Sequence, residues 1–333
     1  MPTRDESDTP ASGAVSRRDF FTGAGMTAGA IAALGAAGGL GYAPAAQAAG
    51  LRDRKYFATY VALELDGTYA GNLVSAEGGE PVLVPPDPIQ QVGETKFAAT
   101  ATTLRYEPMR LHLGDMSTAV FKWIGDTSRT GPVSKNAAVI TYDLEGRELY
   151  RLDARGVRPT AIATDSFDPA SKESLRFGLT LVPTSSSHVL ASKTNAAVKT
   201  GLKSKALLRS NFRLYIQGLE STTLKARGVE PIGLQARADG VLVPTPLKFT
   251  LNFRDAAAMF TWMNDTLAGK ASARDAELQF LSADLTKVAA SAVFSQLTIL
   301  RVSCPAQASD SSQSVDVECA PASLTFNMGD LLT

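Results

Sequence analysis

Along residues 56–66, YFATYVALELD, apolar and polar positions alternate with the period of a half-buried strand. PMRLHLGD, residues 108–115, alternates more cleanly: Met109, Leu111 and Leu113 fall on one face, Arg110 and His112 on the other. The period then changes. Asp115 offers an N-cap, and residues 116–127 place Val120, Trp123, Ile124 and Thr127 at i, i+3, i+4, i+7, the apolar stripe of a helix. AAVITYDLEGRELYRL, 137–152, predicts a β-hairpin turning near Glu145-Gly146. A strand over 156–164 and a polar loop follow. LRFGLTLV, 175–182, then aligns Leu175, Phe177, Leu179 and Leu181 on one face. Residues 71–100 carry Gly78-Gly79, Pro81, Pro85-Pro86 and Pro88, which predicts a long irregular loop.

The order then returns. FKWIGDT (121–127) and FTWMNDT (260–266) share Phe, Trp, Asp and Thr, and their tryptophans, the only two in the chain, lie 139 positions apart. Pro246-Leu247-Lys248-Phe249-Thr250-Leu251 restates Pro108-Met109-Arg110-Leu111-His112-Leu113 at a spacing of 138. Asp255 opens a second predicted helix with Met259, Trp262, Met263 and Thr266 on its stripe. AELQFL (276–281) restates the hairpin's first arm. QLTILRVSC (296–304) and SVDVEC (314–319) restate the last two strands. Phe212, Tyr215 and Ile216 restate Phe57, Tyr60 and Val61 at a spacing of 155, with the longer Pro/Gly loop in the first copy taking up the difference. One shared motif is weak evidence. A strand, a capped helix, a Trp motif and a hairpin in one order and near-constant register imply an internal duplication. Between the copies, no acidic residue occurs from Ser174 to Leu219 while Lys193, Lys199, Lys203, Lys205 and Arg209 accumulate. This reads as a solvated basic linker with room for a short helix.

The first 48 residues have a different pattern. Ser16-Arg17-Arg18-Asp19-Phe20-Phe21 has the form of a twin-arginine export motif, with Arg17 and Arg18 as its signal residues. An uncharged, Ala/Gly-rich run follows, closed by the A-x-A site Ala46-Gln47-Ala48. The expected organisation is therefore 1–48 signal peptide, 49–183 first domain, 184–210 linker and 211–333 second domain. Export by the twin-arginine pathway would carry the folded chain to the periplasm or the cell exterior, with the translocon as a transient partner. The 333 residues carry formal net charge zero, which argues against general nucleic-acid binding, since that requires a basic face.

Within residues 56–183 the sequence resembles the tail tube proteins of contractile-tailed phages and related injection systems. The resemblance rests on Phe121-Lys122-Trp123, Lys135-Asn136, the hairpin Ile140–Glu148 with its Asp143-Leu144-Glu145-Gly146 turn, Val157-Arg158-Pro159-Thr160, the polar loop 165–174 and the closing Leu175-Arg176-Phe177. Residues 212–326 follow it more loosely, with Ser282-Ala283-Asp284-Leu285 where the first copy has its turn. The resemblance implies a mainly β (α+β) fold. It would hold two tandem antiparallel β-barrel or sandwich domains, each with one flanking α-helix. It also implies an exported structural protein whose partner is itself: six domains make a ring, so three two-domain chains would close one, and rings of this kind stack into tubes. Other injection-system-like components are further expected partners.

Candidate chemistry is sparse. His112 and His188 are the only histidines and lie far apart in sequence. No G-x-S-x-G elbow and no strand-borne G-x-G-x-x-G occurs in the mature part, so no catalytic, cofactor or metal site is assigned and none is expected. Cys304 and Cys319, the only cysteines, flank a predicted hairpin loop centred near residue 311, which makes them a candidate disulfide closing a loop of about 15 residues, worth roughly 3 kcal/mol. Phe121, Trp123, Phe260 and Trp262 read as structural core rather than a ligand box. Two other classes stay open on sequence: a monomeric exported binding protein on a duplicated β scaffold, and a cofactor-independent hydrolase.

Overall fold

The computed structural model describes residues 60–84, 90–91, 97–98, 103–114, 117–143, 146–190, 207–304 and 313–329. The export motif with Arg17 and Arg18, the predicted cap Asp115 and residues 191–206 of the basic stretch lie outside the described residues.

Alternation in the first half builds β1 (Tyr60–Leu65) and β2 (Thr68–Glu77), joined by a tight turn at Asp66-Gly67 where both residues have positive φ. A two-stranded arm follows, β3 (Pro81–Val84) against β6 (Thr103–Tyr106), with the short pair β4 (Gln90–Gln91) and β5 (Phe97–Ala98) between them in sequence. Next come β7 (Met109–Leu113), helix α1 (Thr118–Thr130), β8 (Lys135–Tyr142), β9 (Glu148–Thr164), β10 (Phe177–Val182) and β11 (Ser185–Leu190). Pairing runs β1–β2–β7–β10–β9–β8 and back to β1, all antiparallel, so six strands close a barrel. Closure satisfies both edges of every strand in the ring. One face of each strand supplies the core: Leu63 and Leu65, Met109, Leu111 and Leu113, and Phe177, Leu179 and Leu181 are all buried. Helix α1 buries the predicted stripe Val120, Trp123, Ile124 and Thr127 together with Phe121.

The second half contains β12 (Phe212–Ile216), the one-turn helix α2 (Glu220–Thr223), β13 (Gly228–Val229), β14 (Gly233–Ala236), β15 (Leu242–Pro244) and β16 (Leu247–Asn252). A 3-10 turn (Phe253–Asp255) leads into helix α3 (Ala257–Leu267), then β17 (Arg274–Leu281), β18 (Val288–Ser303), β19 (Ser314–Ala320) and β20 (Ser323–Met328). Its sheet runs β12–β17–β18–β19–β16–β13, with β20 on β18. These pairings match those of the first half in register. Leu63 opposes Val139, and Leu214 opposes Leu278. Register shifts fall at Lys135/Ala137 and Thr141/Tyr142 in β8, and at Arg274/Ala276 and Phe280/Leu281 in β17, 139 residues on. Leu181 pairs with Pro159 across a bulge at Thr160; Cys319 pairs with Ile299 across a bulge at Leu300. Bulges are specific local features, and here they fall at matched positions in the two halves. In place of β2, the second half has α2 beside β12, fixed by the Thr223 hydroxyl accepting from the Ile216 N–H at 3.3 Å. Among the described residues its sheet therefore stays open between β12 and β13.

Several expectations are corrected. Residues 68–77, placed mostly inside the Pro/Gly loop, form β2 and close the first barrel. The linker assigned to 184–210 begins with a strand, β11, hydrogen-bonded to β9 from Arg155 to Tyr150. Helix α1 is capped by Ser117, whose side chain accepts from the Val120 N–H at 3.4 Å. Asp255 ends the 3-10 turn, and the cap of α3 is the buried Ala256, which offers no side-chain acceptor. The hairpin register matches Leu63 to Leu214, a spacing of 151 rather than 155.

Candidate assembly surfaces

The main contacts between the two halves are a helix on an edge strand and an added arm, with a backbone bridge between Phe167 and Val229 beside them. Helix α1 of the first half lies against β20 of the second. A Cβ on Gly125 would stand 2.8 Å from the Phe326 carbonyl oxygen, so the helix backbone comes close to the strand because position 125 has no side chain. One turn on, the Ser128 hydroxyl accepts from the Phe326 N–H at 3.4 Å, and Arg129 Nη2 donates to Asn327 Oδ1 at 3.4 Å. The Phe326 ring meets Phe177 edge-on at 6.1 Å, and Phe177 meets Phe121 edge-on at 5.4 Å. Phe280 stacks on Phe167 at 5.3 Å. These contacts join the apolar interiors of both halves into one core.

The arm β14–β15 crosses to the first half and adds to β9, pairing Gly233 with Ala163, Leu234 with Ile162 and Gln235 with Ala161. Gly233 is required there, because a Cβ would meet the Ile162 carbonyl oxygen at 2.0 Å. Thr164 fixes the crossing: its N–H donates to the Ile232 carbonyl at 2.9 Å and its hydroxyl accepts from the Ile232 N–H at 3.2 Å. The end of the basic stretch is anchored too. Arg209 donates to the Ser166 carbonyl at 2.7 Å and to Glu173 at 2.6 Å.

The predicted aromatic residues divide unequally. Trp123 is buried and its indole N–H donates to the Val133 carbonyl at 2.8 Å. Trp262 is buried with the Arg274 guanidinium 5.3 Å above its ring. Phe121 is buried, whereas Phe260 is only half-buried and meets the exposed Phe253 edge-on. The disulfide expectation is wrong: both cysteines are free thiols, Cys304 exposed and Cys319 buried. Cys319 opposes Ile299 and Ser303 opposes Asp316, so the ladder offsets the two cysteines by about four residues, roughly 13 Å. That is well beyond the ~7 Å Cα separation a disulfide can span. Burial, with Glu318 adding to it, pushes the Cys319 thiol up to about 12.

The histidines are separate. His112 Nδ1 lies 2.9 Å from Ser75 Oγ, cross-strand neighbours on the exposed side of β2 and β7, and His188 Nδ1 contacts the Tyr150 hydroxyl. Among the described residues no three His, Cys, Asp or Glu side chains gather into a metal-binding group, and no helix is long and apolar enough to cross a membrane. Electrostatics serve the turns. Asp66 accepts from Lys135 Nζ at 2.6 Å and from the Asn136 N–H at 2.9 Å, and the lysine hydrogen bond, followed by the backbone one, lowers its pKa.

No family model and no curated protein matches the chain. Solved structures do align with parts of it. A component of the PVC sheath-tube complex, an extracellular contractile injection system in its extended state, aligns at 15% identity and a TM-score of 0.32, covering 39% of this chain and 88% of that one. The anti-feeding prophage cap (AFP tube terminating cap) aligns at 18% identity and 0.33, over 39% and 88%. Hcp1 from Flavobacterium johnsoniae aligns at 13% identity and 0.28, over 40% and 96%. At these TM-scores the likenesses assign no function to this chain.

Proposed function

We propose that this is an exported, self-assembling structural protein, built from two homologous tail-tube-like domains in tandem, whose chains join into a ring of three. The observation that carries the proposal is the way the halves meet. Strand pairings and bulges recur at fixed spacing, yet the contact is not two-fold: α1 of the first half packs along β20 of the second, while among the described residues their counterparts, α3 and β11, form no contact of comparable extent. A contact between like modules that uses different surfaces on each side is heterologous, and such contacts propagate until the rotation closes. The export motif at Arg17-Arg18 supports assembly in the periplasm or outside the cell, with injection-system-like components as further partners.

Two experiments test this reading. Light scattering and negative-stain imaging of the purified chain should give three times the chain mass and annular particles; a monomer with no annular particles refutes assembly and favours a monomeric binding protein. Replacing Arg17 and Arg18 with lysine should leave uncleaved precursor inside the cell; unchanged export would rule out the twin-arginine route.

A further inference from the structure

We infer that one copy of this chain joins the next by repeating its own internal contact, with β11 and the β3–β6 arm of a second copy seated on α3 and the outer edge of β18. The inference rests on the assembly reading above and identifies its contact surfaces.

Within the chain, the second half gives the first two larger elements, β20, laid on α1, and the β14–β15 arm, added to β9, beside the single bridge from Val229 to Phe167. The counterparts of the donors in the first half are β11 and the β3–β6 arm. Like β20 on β18, β11 pairs only with the early part of the long strand β9. Like β14–β15, β3–β6 is a hairpin arm standing ahead of the strand that leads to the helix. The counterparts of the receivers are α3 and residues Arg301–Ser303 of β18. Those three residues pair with β19 on one side; among the described residues no strand occupies the other side, where β9 holds β14 at Ala161–Ala163. The internal contact thus uses one donor set and one receiver set, and leaves the other of each without a partner among the described residues.

Exposure points to the same surfaces. The three most exposed large apolar side chains among the described residues are Leu267 at 74%, Leu190 at 72% and Leu83 at 64%. Leu267 ends α3, Leu190 ends β11 and Leu83 lies in β3, so all three fall on the unused donor and receiver elements. Gly125, Ser128 and Arg129 of α1 face β20, and the matching positions on α3 are Asn264, Leu267 and Ala268, all exposed. The Ser128–Phe326 contact maps onto Leu267 and His188, and Leu190 follows two residues along the same strand. Joining these patches removes apolar surface that a lone chain leaves in water.

The test uses the full chain with Cys304→Ser. One variant adds Leu267→Cys, the other His188→Cys, and the two are mixed and mildly oxidised. The expected result is a disulfide-linked pair containing one of each, at least tenfold more abundant than either self-pair. Leu267→Asp and Leu190→Asp, both at exposed positions, should each reduce the assembly to single chains while keeping the melting temperature of the isolated chain. If the starting protein is itself a monomer, the assembly reading and this inference fall together. If it assembles but both Asp variants still assemble and no mixed disulfide forms, the assembly reading stands and this contact is wrong.

Discussion

Placing a leucine at Gly125 tests the internal contact where its geometry is tightest. The missing Cβ would lie 2.8 Å from a backbone carbonyl of β20, and a backbone strand cannot rotate aside as a side chain can. An exposed helix would gain up to about 1 kcal/mol from this change, because leucine is a far better helix former than glycine. Here the gain is opposed by overpacking, which costs about 1–3 kcal/mol in a packed core, and the full leucine side chain puts Gly125→Leu at the upper end. Moving β20 outward also stretches the Ser128 and Arg129 contacts, each already 3.4 Å long and so weak. The net expectation is a loss of about 2 kcal/mol. At roughly 2–4 °C per kcal/mol for a body of this size, the thermal midpoint should fall by about 4–8 °C. Scanning fluorimetry and urea denaturation of the full chain read this directly. Lys122→Ala, on the exposed side of the same helix, is the control and should stay within about 0.5 kcal/mol. A Gly125→Leu variant as stable as the parent, or more stable, would mean that helix propensity decides and that α1 is not seated on β20.

Three further outcomes follow from the geometry. Trp123→Ala should cost about 3–5 kcal/mol for the buried ring and about 1 more for the orphaned Val133 carbonyl; a thermal midpoint unchanged from the parent would contradict its place in the core. In the native protein a thiol reagent should label Cys304 quickly and Cys319 only after denaturation, with no disulfide detected by mass; equal labelling of both would contradict the burial of Cys319. Asp66 has a folded pKa below 3.8, so its contribution to stability is present above that value and disappears as pH falls through the lower folded value. The difference in thermal midpoint between the parent and Asp66→Asn should therefore be largest above about pH 4 and shrink toward pH 2. A difference that stays constant across that range would remove the Asp66–Lys135 pair from the acid response.

Much of each module was legible because its signals are local. Strand β7 alternates without exception, and helix α1 shows a clear change of period, so both are legible in the sequence, as are the β8–β9 hairpin and the apolar stripes that bury the two tryptophans. Strand β2 escaped because a register shift between Leu73 and Ser75 interrupts its alternation, and Gly71, Asn72 and Ser75 dilute its apolar face. Strand β11, reading SSSHVL, carries no buried face at all; its pairing with β9 is a backbone matter that residue types hardly record. The disulfide expectation fails by an offset of about four residues along the ladder. In the β18–β19 ladder Ser303 opposes Asp316, so the pairing is not centred on the two cysteines, and the bulge at Leu300 shifts its register. The internal contact did leave one readable trace, in the two Trp motifs. FKWIGDT has glycine where FTWMNDT has asparagine, and glycine inside a helix is costly unless something must come close. That difference marks which of the two helices is covered within the chain.

The placement of β20 also bears on how the chain folds. The strand that covers α1 spans Ser323–Met328, about two hundred residues downstream of the helix it covers. During synthesis the first barrel can close, but one side of its helix and its Phe177 cluster stay bare until β20 has emerged. Contacts this distant in sequence form late and slow folding. The cover of the first half's helix is thus supplied by the second half, which couples the folding of the two.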